Sequence, residues 1–132
     1  MVTLPEKFTE AEVARLATVG DDGRPHLVPI VFAAYENTVV TAVDGKPKST
    51  TRLKRLANIT ANPQVSLLVD HYDRDWTQLW WIRVDGVATI TENATALDLL
   101  RTKYSQYQHV PLYGPAIEIS VESIKTWGPG LT

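Results

Sequence analysis

The sequence predicts a mainly β protein: a small, mostly antiparallel barrel with helices packed on its outside and at its open end. Three observations carry this. Runs rich in β-branched residues recur about six times, joined mostly by tight turns, and outnumber the helical segments. Strands and helices do not alternate throughout, as a doubly wound parallel fold requires. The last clear run, Ile117-Glu118-Ile119-Ser120-Val121-Glu122, alternates strictly, so one of its faces is buried and the other wet. A sheet of this kind closes into a small barrel.

Taken in order, Thr9 reads as an N-cap with Glu12 completing a capping box, and Val13, Leu16 and Ala17 supply the apolar stripe of a short helix. Strand signals begin at Ala17-Thr18-Val19 and stop at Asp21-Asp22-Gly23, where Gly23 can take positive φ. Residues 25–34 and 38–43 read as strands flanking a Glu36-Asn37 hairpin turn, and Pro29 points to an edge position or a bulge. Ser49, Thr50 or Thr51 can cap a second helix with Leu53, Leu56 and Ala57 on its inner face. Asn62-Pro63 ends it, because the residue before proline avoids the helical region. Strands over 64–71 and 79–91 follow, the second bending at Gly86. Asn93 caps a third helix from Ala94 to about Tyr107, with Leu97, Leu100 and Tyr104 on one stripe.

A length of 132 residues without a composition shift or repeat is one domain's worth, so a single domain over residues 1–132 is expected. The chain has no Cys, which removes disulfides, thiolate nucleophiles and cysteine zinc sites. Its longest apolar run, Leu27 to Tyr35, is nine residues, whereas a membrane helix needs about 20. The N-terminal residues show no apolar core of a signal peptide. No membrane span and a cytoplasmic location are therefore expected, and a net charge of −2 gives no global sign of nucleic-acid binding.

The segment richest in chemistry is Lys46-Pro47-Lys48-Ser49-Thr50-Thr51-Arg52-Leu53-Lys54-Arg55, which holds five of the 13 basic residues and no acid. Its hydroxyls and cations straddle a helix start, where free N–H groups and the helix dipole already favour an anion. Cations there cost helix stability unless an anion or a tertiary partner compensates them, so the segment suits a phosphate better than it suits the helix. Against this stands the ordinary reading of a solvated basic helix face. In Leu79-Trp80-Trp81-Ile82-Arg83-Val84-Asp85, Trp80 shares a face with Ile82 and Val84, and Trp81 with Arg83 and Asp85. Trp80 is expected in the core; Trp81 is expected at a rim, a subunit interface or a shelf for a planar cofactor. An edge strand over residues 25–30 would leave backbone groups free for the polar rim of a heterocycle.

Asp70-His71-Tyr72-Asp73-Arg74-Asp75 has no paired His and reads as a polar connection in which Arg74 neutralises the acids, so no metal is expected. No nucleophile elbow, Walker loop or dinucleotide fingerprint is present. A phosphate grip without an acid–base pair suits an enzyme whose cofactor performs the chemistry. No catalytic residue is assigned.

Ala14-Arg15-Leu16-Ala17-Thr18-Val19 followed by Asp22-Gly23-Arg24-Pro25-His26-Leu27-Val28-Pro29-Ile30-Val31-Phe32 resembles the N-terminal hairpin of the pyridoxamine 5'-phosphate oxidase-like proteins, most closely the flavin/deazaflavin branch that uses coenzyme F420. Lys48, the stretch from Arg55 to Leu67 with its Asn62-Pro63, Arg83-Val84-Asp85-Gly86-Val87-Ala88 and Trp127 are similar to later motifs of the family. The resemblance covers nearly the whole chain. It implies an FMN-binding-like split β-barrel and a homodimer with two cofactor sites at the subunit interface. It places the deazaflavin ring against His26, Val28, Pro29 and Ile30, and the tail phosphate at Lys48, Ser49, Lys54 and Arg55 beside the Thr50 helix start. It implies hydride transfer between F420 and an unidentified conjugated small molecule. The alternatives are an FMN-binding oxidase or reductase of the same fold and a non-catalytic F420-binding protein. The Arg and Lys by which the FMN branch grips phosphate are missing from Thr38 to Asp44. Nucleic acid is disfavoured, since the one basic run has no interleaved aromatics.

Overall fold

The structure is a computed structural model that describes residues 3–42, 50–112 and 115–131, with the backbone alone over residues 50–53. Seven strands are present among them: β1 (Ala14–Val19), β2 (Pro25–Ile30), β3 (Ala33–Tyr35), β4 (Thr38–Ala42), β5 (Gln64–His71), β6 (Trp80–Thr91) and β7 (Ala116–Trp127). Three α-helices accompany them: α1 (Glu6–Thr9), α2 (Thr50–Ala61) and α3 (Ala94–Lys103). All strand pairings are antiparallel, in the order β2-β1-β5-β6-β7-β4-β3.

That order dictates closure. Strands β2 and β3 occupy opposite edges of the sheet, yet only Val31 and Phe32 separate them in the chain. The three Cα–Cα steps from Ile30 to Ala33 span at most about 11 Å. The two edges therefore meet, and the sheet curls into a half-open barrel with its seam at residues 31–32. Inward residues of every layer fill it: Leu16, Val39, Leu67, Ile82, Val84, Ile117 and Ile119 have no exposed surface. Phe8 of α1 packs its ring 5.1 Å from that of Phe32. A second cluster lies outside the barrel, where Leu97 and Leu100 of α3 cover Val40 and Ala42 of β4. The register of β6 and β7 shifts between Asp85 and Gly86. A Cβ at Gly86 would collide with the backbone oxygen of Ser120, so the bulge needs glycine for close backbone approach.

The predicted mainly β barrel is the fold observed, with β2 as an edge strand as Pro29 required and the bend at Gly86. Other local expectations are corrected. Residues 10–17 form no helix. Helix α1 starts at Pro5, held at φ −63° and ψ 149°, and is finished by Thr9, whose hydroxyl donates to the Glu6 carbonyl at 3.2 Å. Residues 14–19 instead become β1, because β2 and β5 pair with it on both sides; a ladder on each edge overrides the short helical pattern. Residues 25–34 are not one strand, since the seam interrupts them after Ile30, and β2 pairs with β1 while the Glu36-Asn37 turn joins β3 to β4. Ala57 is exposed, whereas Asn58 and Ile59 are buried on the inner face of α2. Helix α3 ends at Lys103, and β7 runs on past Glu122 to Trp127 against the far half of β6.

Candidate functional site

The approach of α2 to the β1–β2 hairpin is built by one buried polar side chain. The Asn58 amide donates from Nδ2 to Thr18 Oγ1 at 3.1 Å, and both residues are buried. Its Oδ1 lies where a Cβ on Gly20 would stand, so only glycine at the end of β1 lets the helix come this close. One turn back along α2, Lys54 Nζ reaches Asp22 Oδ2 in the hairpin turn at 3.7 Å. The basic half of α2 thus comes to the turn that leads into β2, at one corner of the barrel. The basic segment has no acid in its own sequence, and folding brings Asp22 to it as a tertiary partner. The two side chains are 47% and 46% exposed, and a pair this long and wet contributes about 0–1 kcal/mol. Lys48 and Ser49 lie outside the described residues; Thr50 opens α2, its side chain outside the description. Arg55 follows Lys54 and is half-buried.

Strand β2 forms the free ledge of this corner. A proline cannot belong to an antiparallel pair that exchanges both hydrogen bonds. Pro25 and Pro29 stand opposite Val19 and Arg15, so by alternation His26, Val28 and Ile30 are the residues bonded to β1. The outward edge then offers the carbonyls of Pro25, Leu27 and Pro29 and a single N–H, that of Leu27. Pro29 is exposed, Leu27 is 66% exposed and Val28 half-buried, while Ile30 turns into the core at 6%. His26 is half-buried, and its Nδ1 is enclosed without a hydrogen-bond partner among the described residues.

Trp81 stands apart. It is half-buried on the outer sheet face, directly across from Trp127. Its strand is three places from β2 in the sheet, about 14 Å at the usual strand spacing. Trp80 packs against the core as expected. Between β5 and β7 on the outer face, Asp85 accepts from Ser66 Oγ at 2.7 Å, Ser123 Oγ at 3.2 Å and Arg83 Nε at 3.0 Å. Burial opposes its charge, but these hydrogen bonds and the Arg83 guanidinium outweigh it and hold the carboxyl below its ordinary range. Among the described residues no three His, Cys, Asp or Glu converge as a metal cluster. Asp70 is 3.6 Å from Arg15, Asp73 is 3.7 Å from His71 Nε2, and Asp75 accepts from the Thr77 hydroxyl at 2.6 Å; among the described residues these, and not Arg74 as expected, are the side-chain partners of the acids.

Sequence reasoning missed the far end of α3. The Tyr104 hydroxyl accepts from the Phe32 N–H at 3.0 Å and lies 2.8 Å from the carbonyls of both Glu12 and Phe32, to which its one proton is donated. Lys103 Nζ donates to the carbonyls of Thr9 at 3.1 Å and Ala11 at 2.7 Å, and lies 4.1 Å from the centre of the Phe32 ring. Burial pushes the Lys103 ammonium below its ordinary pKa against the upward pull of Glu12, and burial likewise raises Tyr104. Beside this pair opens a cleft of about 440 Å³, walled by Glu12, Val31, Lys103, Tyr104, Tyr107 and Val110 among others. The only sequence signal was an amphipathic helix ending in Lys-Tyr with no glycine after it.

A seven-stranded antiparallel barrel of this order, with β2 and β3 as its two edges, is the split barrel of the FMN-binding type. The chain belongs to the pyridoxamine 5'-phosphate oxidase family, whose profile matches residues 4–128. Among solved structures it is similar to a heme-binding protein from Mycobacterium smegmatis, at TM-score 0.70 and 18% identity over 96% of this chain. The chain spans 56% of that protein's length. It is similar to the heme storage protein of Vibrio cholerae, at TM-score 0.67 and 17% identity, covering 93% of this chain and 89% of the other. It also resembles an FAD-binding protein from Mesorhizobium loti, at TM-score 0.67 and 21% identity, covering 92% and 88%. At these identities the likeness is one of fold. No sequence among the curated proteins matches the chain. Among the described residues no helix is long and apolar enough to cross a membrane.

Proposed function

We propose that this protein is an oxidoreductase that transfers a hydride between coenzyme F420 and a conjugated organic molecule. The observation that carries the reading is the corner where Lys54 of α2 reaches Asp22, in the turn that leads into the edge strand β2. Three features there fit a deazaflavin. The edge carries one N–H with a carbonyl on the same residue, Leu27, which suits the donor and acceptors of a pyrimidine rim. The Nδ1 of His26 is buried on the same strand and unbonded among the described residues. The first turns of α2 hold no acid, so the helix dipole and Lys54 favour a phosphate. Strand β4 is Thr-Val-Val-Thr-Ala, its last four residues buried, and offers no cation for the phosphate of FMN; this favours F420.

When bound, the reduced deazaflavin supplies the hydride. The chain's part is to hold and to orient. Leu27 would fix the rim of the ring, and Lys54, Arg55 and the α2 start would fix the tail, with Lys48, Ser49 and Thr50 completing the grip. Anchoring a remote tail converts an encounter into a positioned reaction. The acceptor's proton comes from solvent, since no acid side chain is assigned to the edge. We further propose a cytoplasmic homodimer: Leu27 and Trp127, 66% and 50% exposed, lie on the same outer sheet face, and a partner seated there would bring its own Trp81 toward the ledge.

Tryptophan fluorescence titration with F420, FMN and hemin separates the readings. F420 is expected to quench most tightly, and Lys54→Ala with Arg55→Ala to weaken it by at least roughly tenfold at low salt. Preferential response to FMN would transfer the site to the flavin. A hemin Soret shift without either flavin response would replace the reading with the one suggested by the heme-binding relatives. Tight F420 binding without turnover on any quinone or unsaturated acceptor would leave a non-catalytic carrier.

A further inference from the structure

We propose that the cleft beside Lys103 takes an uncharged, ring-sized molecule and rejects phosphate esters, although the family takes its name from one. That this molecule is the hydride acceptor rests on the function proposed above; its binding to the cleft does not. Val31 both follows β2 directly and walls the cleft, so the cleft opens at the end of the ledge proposed for the cofactor ring.

The charges on the cleft wall decide the ligand class. Among the described residues that wall the cleft Lys103 is the one cation, and its ammonium has no direction left to offer. Two of its protons go to the carbonyls of Thr9 and Ala11, and the third side faces the Phe32 ring at 4.1 Å. Arg101, on the last turn of α3, is bonded to Asp98 at 2.9 Å and to the Leu112 carbonyl at 2.8 Å. The remaining charge among the described residues of the wall is the carboxylate of Glu12. An anion entering would find no cation with a free donor among the described wall residues and would face a like charge. A neutral ring would instead meet the side chains of Val31, Val110 and Tyr107 with amide and hydroxyl groups at the rim, in a space of about 440 Å³ that suits a one- or two-ring molecule.

The test uses a matched pair of probes, 1,4-naphthoquinone and its 2-sulfonate, with pyridoxamine 5'-phosphate as a third. The chain contains no Cys, so no thiol consumes the quinones. Binding to the cofactor-free protein is read by equilibrium dialysis, and its place by backbone amide shifts at Val31, Tyr107 and Val110. The neutral quinone is expected to bind roughly tenfold tighter than the sulfonate, the scale of one like charge at about 6 Å behind partial screening. Glu12→Gln should narrow that ratio and Glu12→Lys reverse it. Val110→Trp, which fills the cleft from its exposed wall, should weaken the neutral quinone. Sulfonate or pyridoxamine 5'-phosphate binding as tightly as the quinone, a ratio unmoved by Glu12→Lys, or quinone binding unmoved by Val110→Trp would each overturn the proposal. Because no cofactor is present, a failure here is separate from a failure of F420 to bind.

Discussion

Replacing Tyr104 by Phe removes one oxygen from the seam that closes the barrel. In the native chain that oxygen satisfies the Phe32 N–H at 3.0 Å and returns its proton to the Glu12 and Phe32 carbonyls, both at 2.8 Å. Tyr104 is 8% exposed and Phe32 fully buried, so water does not replace the hydroxyl. The lost hydrogen bond costs about 1 kcal/mol net, and the stranded buried N–H adds about 1–3 kcal/mol. The sum, about 2–4 kcal/mol, is a large part of an ordinary domain's stability of about 5–15 kcal/mol. For a chain of this length the melting temperature should fall by roughly 8–15 °C. Thermal unfolding followed by circular dichroism gives the global loss, and amide hydrogen exchange at Phe32 gives the local one. The aromatic ring is kept, so packing against α3 is not the cause of any loss. A fall of less than about 3 °C, with the Phe32 amide as protected as in the parent, would falsify the claim that this hydroxyl holds the seam.

Two further perturbations probe other parts of the molecule. Asn58→Ala deletes the buried bond to Thr18 Oγ1 at 3.1 Å; a cost of about 1–3 kcal/mol is expected from urea unfolding. The variant should also bind F420 more weakly, because α2 loses its register on the hairpin, and intact affinity would separate Asn58 from the site. Asp85→Asn tests the outer-face cluster through pH. The native carboxyl titrates below its unfolded value, so its stabilisation is complete above the unfolded pKa and vanishes as pH falls through the folded one. The stability gap between parent and variant in urea should therefore be widest near neutrality and shrink below about pH 4; a gap constant with pH would show that the cluster acts through packing alone.

The barrel was legible because strand signals add up over the whole chain, and Pro29 marked the edge by chemistry that context cannot override. The first helix was misread because residues 9–17 carry a true capping pattern, whose competitor is a ladder supplied by residues 25–30 and 64–71, distant in sequence. The basic start of α2 was visible as composition, but its neighbour Asp22 was not, since Gly20 and Asn58 bring the hairpin to it only through tertiary contact. The apolar pattern of α2 puts Leu56 and Ala57, not Asn58, on its inner face. Burial of a helical Asn becomes readable only once Thr18 is known to face it. The Lys103 and Tyr104 pair was invisible for the same reason: its acceptors are main-chain atoms more than seventy residues away, and backbone carbonyls leave no mark on a sequence.

A free edge strand is a hazard, because its unpaired N–H and C=O groups template another strand. Pro25 and Pro29 occupy the same parity of β2, and so remove two of the three outward donors while leaving every carbonyl. An incoming strand needs donors at alternate residues and would find one, at Leu27. A small heterocycle needs only one donor beside one acceptor, and finds both on that residue. The residues that protect the barrel from strand addition thus leave a ledge whose hydrogen-bonding capacity matches a small ring and not a polypeptide. The seam makes the ledge usable, since the Tyr104 hydroxyl holds Phe32, two residues beyond the last residue of β2, and thereby fixes the end of the strand. A substitution that restores a donor, such as Pro29→Val, changes the edge in the direction of self-association and leaves the core beneath it intact.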